Sequence, residues 1–80
     1  MNKSKRQTYN YNAVFQKNET GGYTVTVPAL PGLVTEGDSL ESARSMVLDA
    51  ITCYLEGLSK AKSDIPQENE YAQMRVAVQI

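Results

Sequence analysis

The chain has 80 residues, of which 41% are hydrophobic and 21% charged, with a formal net charge of −1 and a pI near 5.3. That composition describes one small folded domain and excludes a disordered chain; the near-neutral charge argues against a domain built to coat nucleic acid. Histidine is absent and Cys53 is the single cysteine, which excludes His-based acid–base chemistry, the usual zinc ligand sets and an intrachain disulfide.

No apolar run approaches the ~18 residues of a membrane span. The basic start, Met1-Asn-Lys-Ser-Lys-Arg6, is followed by no apolar stretch and does not read as a secretion signal. A reducing cytoplasm is the expected compartment. A domain of this size buries only ~60–65% of its unfolded surface, so homo-oligomers, dimers or tetramers, are an expected remedy.

Residues 1–8 read as a flexible basic tail and 9–80 as one domain. From Tyr9, the odd positions Tyr9, Tyr11, Ala13 and Phe15 alternate with mostly polar neighbours, which predicts a first strand with one buried face. Lys17 to Gly22 reads as a hairpin connection. Gly22 to Val27 is strand two, with Tyr23, Val25 and Val27 inward. Pro28 lacks a ladder donor and ends it. Pro28-Ala-Leu-Pro31-Gly32 is a rigid corner, with Pro31-Gly32 suited to a type II turn. Leu33 to Glu36 is long enough for a third strand, and Gly37 reverses the chain.

A helix is predicted to start at Asp38 or Ser39, with Asp38 and Glu41 in capping-box spacing. Leu40, Ala43, Val47, Ala50, Ile51, Tyr54 and Leu58 then recur every three or four residues and form a stripe facing the sheet. Gly57 implies either a close neighbour or a loosened helix end. A polar connector containing Pro66 follows. Met74, Val76, Val78 and Ile80 alternate with Arg75, Ala77 and Gln79, which predicts strand four. The fold class is α+β, in the order β-β-β-α-β: a three-stranded antiparallel meander, one helix on one face, and strand four returning parallel to strand one.

The chemistry is thin. Metal-dependent nuclease activity needs converging carboxylates, and capping and solvation account for Asp38, Glu41 and Asp49, while Asp64 falls in a loop. Tyr9, Tyr11, Phe15 and Tyr23 could stack on RNA bases, but all except Tyr9 clearly share the phase of the core. Cys53 reads as a structural thiol beside the helix stripe, with no sequence neighbour to activate it. Lys3, Lys5 and Arg6 read as a solvated tail. Asn18-Glu-Thr20 matches a glycosylation acceptor and is read as chance.

The run Tyr11 to Phe15, then Gly21-Gly22-Tyr23 through Pro28-Ala-Leu-Pro31-Gly32, then Thr35-Glu-Gly37-Asp38-Ser-Leu-Glu41-Ser-Ala43 resembles the HicB-type antitoxin family. The likeness continues through Asp49-Ala-Ile51 and Tyr54-Leu55. Gly22, Tyr23, Pro28, Pro31, Gly32, Gly37 and Asp38 carry it. The resemblance implies a degraded ribonuclease H-like fold without catalytic carboxylates. It implies a non-catalytic antitoxin, without metal or cofactor, that occludes a small basic HicA-type toxin cleaving messenger RNA. Many family members carry a C-terminal DNA-binding domain; this sequence reaches Ile80 directly after the expected strand four, so direct DNA binding is not expected. Glu41, Asp49 and Glu56 on the helix are the candidate partner contacts. The alternative is a self-associating or RNA-binding module using an open sheet face.

Overall fold

The computed structural model describes residues 7–68 and 70–80, so Lys3, Lys5 and Arg6 lie outside the described residues. Three strands, β1 (Val14–Lys17), β2 (Tyr23–Thr26) and β3 (Val34–Gly37), precede one helix, α1 (Leu40–Lys60). The strands form an antiparallel sheet in the order β1-β2-β3. The register pairs Phe15 with Val25 and Val25 with Thr35. Residues directly opposite share a face, so Phe15, Val25 and Thr35 form one cross-strand row and Val14, Thr26 and Val34 the next, on the other side.

β1 is shorter than the alternation from Tyr9 predicts. Continuing its register past Val14–Thr26 sets Asn12 opposite Pro28, which has no N–H to give. The ladder stops, and residues 7–13 run outside the sheet. Tyr11 and Ala13 still pack against the core; Tyr9 stays exposed.

The β1–β2 connection is organised by Asn18. Its Oδ1 accepts hydrogen bonds from the Thr20 N–H (3.1 Å), the Thr20 hydroxyl (2.8 Å) and the Gly22 N–H (3.0 Å). The Asn18 N–H donates to the Gly22 carbonyl at 2.9 Å. Such Asx geometry supplies the turn with acceptors the backbone lacks.

After β2 the chain makes two successive turns. The Leu30 N–H donates to Val27 O at 2.9 Å and the Leu33 N–H to Leu30 O at 3.2 Å. Pro31 and Gly32 are the central residues of the second, and Gly32 has φ +88°, as a type II turn requires at that position. The corner drives Leu30 and Leu33 inward, where they join Val25, Val27, Ala43 and Val47 as the buried core. Leu33 thus belongs to the turn, and β3 starts one residue later than the sequence implies.

The helix cap is Ser39, whose hydroxyl accepts from the Ser42 N–H at 3.0 Å. This replaces the expected Asp38–Glu41 box: Asp38 sits one residue too early, and Glu41 falls in the first turn, where a negative charge suits the helix dipole. The stripe is also less buried than its periodicity predicts. Ala43 and Val47 are buried, but Leu40 is 54% exposed, and Ile51, Tyr54 and Leu58 are half-buried. A helix of 21 residues spans about 31 Å, whereas a four-residue strand spans only about 13 Å. The helix therefore overhangs the sheet it packs on. Nothing lies within 4 Å of a Cβ built at Gly57, so no close neighbour explains that glycine.

The fourth strand is not formed. Residues 70–80 carry no strand pairing, and every one is exposed. A strand needs an edge to pair with, and this segment leaves the body without meeting one. The Cα radius of gyration is 15.6 Å, against about 12 Å for a compact chain of this length.

Candidate partner-binding surface

The three acids singled out in the sequence fall on α1. At about 100° per residue, Glu41, Asp49 and Glu56 lie within ~80° of one another, on the side opposite Ala43 and Val47. All three are exposed. Fifteen residues separate the outer two, about 22 Å along the axis, so the carboxylates form a line and not a cluster. Arg44 and Lys60 flank that line without entering it.

The same face carries a residue the sequence reading passed over. Leu48 is 57% exposed and sits among Glu41, Ser45, Asp49 and Thr52. The Thr52 hydroxyl donates back to Leu48 O at 2.9 Å, which satisfies it within the helix. Leu48 is one isolated apolar side chain on a polar and acidic face, as single exposed apolar residues commonly are. Leu48 lies off the core stripe in the helical periodicity, which is the signal that could have found it.

The remaining singled-out residues lie away from this face. Gly22 is buried and Tyr23 half-buried at the start of β2; Pro28, Pro31, Gly32 and Asp38 are exposed. Gly37 ends β3 against the first turn of α1. Cys53 is exposed, on the flank of α1 away from the core rather than beside it. Asp64 is exposed beyond the helix end. Asp38, Asp49 and Asp64 are strung along and past α1, and among the described residues no group of three His, Cys, Asp or Glu has the placement to hold a metal ion.

Two open hollows accompany the connector after α1. One, of about 130 Å³, is lined by Pro28, Ala29, Glu68, Glu70 and Tyr71. The other, of about 230 Å³, lies between residues 8–11 and Pro66–Glu68. Both fall below the ~300 Å³ at which small-molecule sites begin. The connector is pinned here: the Tyr11 hydroxyl donates to Pro66 O, and the Asn12 N–H and Nδ2 donate to the two Glu68 carboxylate oxygens at 3.1 and 2.9 Å. Burial, then the charges of Tyr9 and Glu68, push the Tyr11 phenol above its usual value of 10.0.

Sheet, helix and surface together define a small α+β domain whose distinctive exposed chemistry is a helix face. The chain belongs to the HicB-like antitoxin family of bacterial toxin–antitoxin systems, whose sequence profile matches residues 11–79. It is 41% identical over 59 residues to a UPF0150 protein of Thermoplasma acidophilum, a match covering 74% of this chain and 86% of that one. A UPF0150 protein of Synechocystis is 34% identical over 64 residues, covering 80% and 81%. An uncharacterized 14.9 kDa protein of Haemophilus phage HP1 is 35% identical over 52 residues, covering 65% of this chain and 39% of the phage protein. No solved structure matches. No helix among the described residues is long and apolar enough to cross a membrane.

Proposed function

We propose that this chain is a cytoplasmic, non-catalytic antitoxin that binds a small, basic, HicA-type ribonuclease and covers its RNA-cleaving surface. The observation that carries the reading is the outward face of α1, where exposed Leu48 stands among Glu41, Asp49 and Glu56. Carboxylates aligned along a rigid helix offer a basic partner charge complementarity, which raises the association rate. Leu48 gives such a partner an apolar contact that water surrounds in the free protein. Family membership supports the antitoxin role. The reading requires no cofactor and assigns no DNA contact to the described residues.

Co-expression with the small open reading frame next to its gene tests the proposal. Growth arrest caused by that neighbour should be relieved by this chain. The variant Glu41→Lys/Asp49→Lys/Glu56→Lys should lose relief and associate at least ~10-fold more slowly at low salt, with its helical circular dichroism intact. A non-toxic neighbour, or full relief by the reversed-charge variant, would sink the assignment.

A further inference from the structure

The outer edge of β3 carries unpaired backbone groups. The Asn18 N–H turns in toward Gly22, and antiparallel pairing alternates along a strand. Thr24 and Thr26 therefore direct their backbone groups to β1, and Tyr23 and Val25 direct theirs to Gly37 and Thr35 of β3. The N–H and C=O groups of Val34 and Glu36 are left pointing outward. Among the described residues, no backbone hydrogen bond of a turn or loop reaches them. Val34 is 60% exposed, and Glu36 is exposed beside it.

The surroundings of this edge are acidic. From Asn18 to Ala43 the chain contains no lysine or arginine, and Glu36, Asp38 and Glu41 follow one another from the end of β3 into the first turn of α1. All three are exposed. The opposite edge differs: β1 ends in Lys17. The arm after the connector, residues 70–80, is rooted on that opposite side by the bonds from Tyr11 to Pro66 and from Asn12 to Glu68. A second copy is a poor match for the β3 edge. Pairing β3 with β3 would bring the same carboxylates of the two copies together, and opposed like charges destabilise a strand pair. Pairing β3 with β1 is head-to-tail and runs on into rings or filaments.

We propose that the β3 edge takes an added strand from a basic protein partner, whose extended, lysine- or arginine-bearing segment pairs with Val34 and Glu36. Backbone hydrogen bonds hold the segment, and its cationic side chains meet Glu36, Asp38 and Glu41. A nucleic acid has no peptide ladder to offer and carries the wrong charge. The inference rests on the antitoxin reading for the identity of the partner, the toxin, and adds to it a mode of contact.

Amide hydrogen exchange of the full chain, alone and saturated with the purified product of the small open reading frame beside its gene, tests the edge. In the free chain the Val34 and Glu36 amides should exchange rapidly. In the complex they should slow at least ~10-fold, while those of Phe15 and Lys17 on the other edge keep their rates. Val34→Pro removes an outward donor that the domain itself does not use, so helical circular dichroism should not change. The Val34→Pro complex should dissociate at least ~10-fold more readily. Glu36→Lys/Asp38→Lys should slow association at least ~10-fold at low salt, and less at high salt. Binding that leaves the Val34 and Glu36 amides unchanged overturns this proposal and leaves the antitoxin reading standing. Slow exchange of both amides in the free chain overturns it too, because the edge is then already covered. A neighbour that does not bind removes both readings.

Discussion

Gly37 and Ala43 meet backbone to backbone: a Cβ placed on Gly37 would overlap the Ala43 nitrogen and stand 2.5 Å from its Cα. The end of β3 is thereby pressed against the first turn of α1, with only Asp38 and Ser39 between the strand and the helix. On the other side of Gly37, its carbonyl oxygen occupies the space a Cβ on Gly22 would need. One glycine pair thus lets the start of β2, the end of β3 and the first turn of α1 approach closely.

Gly37→Ala and Gly22→Ala should each destabilise the domain by at least ~2 kcal/mol, because the obstructing atoms are backbone and have no rotamer to move into. Gly57→Ala provides the contrast. Its added methyl meets nothing within 4 Å, and replacing a mid-helix glycine stabilises by about 1 kcal/mol. Urea unfolding of the three variants checks the order; equal effects at Gly37 and Gly57 would show that close approach is not the cause.

Asn18→Ala removes the acceptor shared by three donors in the β1–β2 turn. A loss of about 1–2 kcal/mol is expected, with the hairpin amides of Thr20 and Gly22 exchanging faster. Asn18→Asp keeps the acceptor and should retain most of the stability. Matching losses in both variants would mean the side-chain oxygen is not what holds the turn.

Ser39→Ala should cost about 1 kcal/mol, the usual effect of deleting an N-cap hydroxyl, whereas Asp38→Ala should change stability by less than about 0.5 kcal/mol. The pair separates two readings of the same short sequence. Asp38-Ser39-Leu40-Glu41 offers two overlapping caps, and residue type alone does not rank them. The backbone does: Ser39 is extended, with φ −138° and ψ 168°, and its carbonyl accepts from the Ala43 N–H at 2.8 Å.

The cap shows how far local pattern reaches. Strand two, the Pro31–Gly32 turn and the helix were legible because alternation, turn chemistry and 3.6-residue periodicity agree along residues 22–60. Leu30 and Leu33 escaped, since a corner between strands has no periodicity to mark them as inward. The stripe from Leu40 to Leu58 was legible as a stripe, but its burial was not. Burial depends on how much sheet lies beneath, and strand length is a tertiary outcome. Strand four has the clearest alternation in the chain, yet its pairing requires an edge that period two does not specify.

The acidic face was legible for a simpler reason. Glu41, Asp49 and Glu56 fall off the apolar stripe, and any helix that buries Ala43 and Val47 must turn them outward. Leu48 falls off it too, an uncharged residue that the same periodicity turns outward. Whether such a face contacts a partner is not encoded in periodicity; family membership suggests a toxin partner and names no surface for it.

Lys62 ends α1 in the left-handed region, with φ 57°. The Ser63 N–H donates to Leu58 O at 2.9 Å and the Lys62 N–H to Ser59 O at 3.0 Å, the bonding pattern of a Schellman cap with lysine where glycine is usual. Lys62→Gly relieves the Cβ strain and should raise stability by about 0.5–1 kcal/mol after the entropy glycine adds to the unfolded chain. Lys62→Val should lower it, since a β-branched side chain tolerates positive φ poorly. Thermal melts of the two variants should move in opposite directions. A shared direction would assign the effect to lost charge near the helix end.

Tyr11 ties the chain before β1 to the connector that roots the arm, and it does so only while its hydroxyl keeps a proton to donate to Pro66 O. Its pKa in the folded state lies above the usual 10.0, through burial first and then the charges of Tyr9 and Glu68. For a group raised on folding, the unfolded chain loses its proton first. The contribution to stability is therefore complete below pH 10 and disappears as pH rises through the folded value. Tyr11→Phe should cost about 1 kcal/mol near neutral pH, and the gap to wild type should close in the alkaline range above about pH 10. Urea unfolding of both proteins from about pH 8 to 11 measures the difference directly, with the other tyrosines and lysines cancelling between them. A constant gap across that range would mean that Tyr11 acts through its ring and not through its hydroxyl.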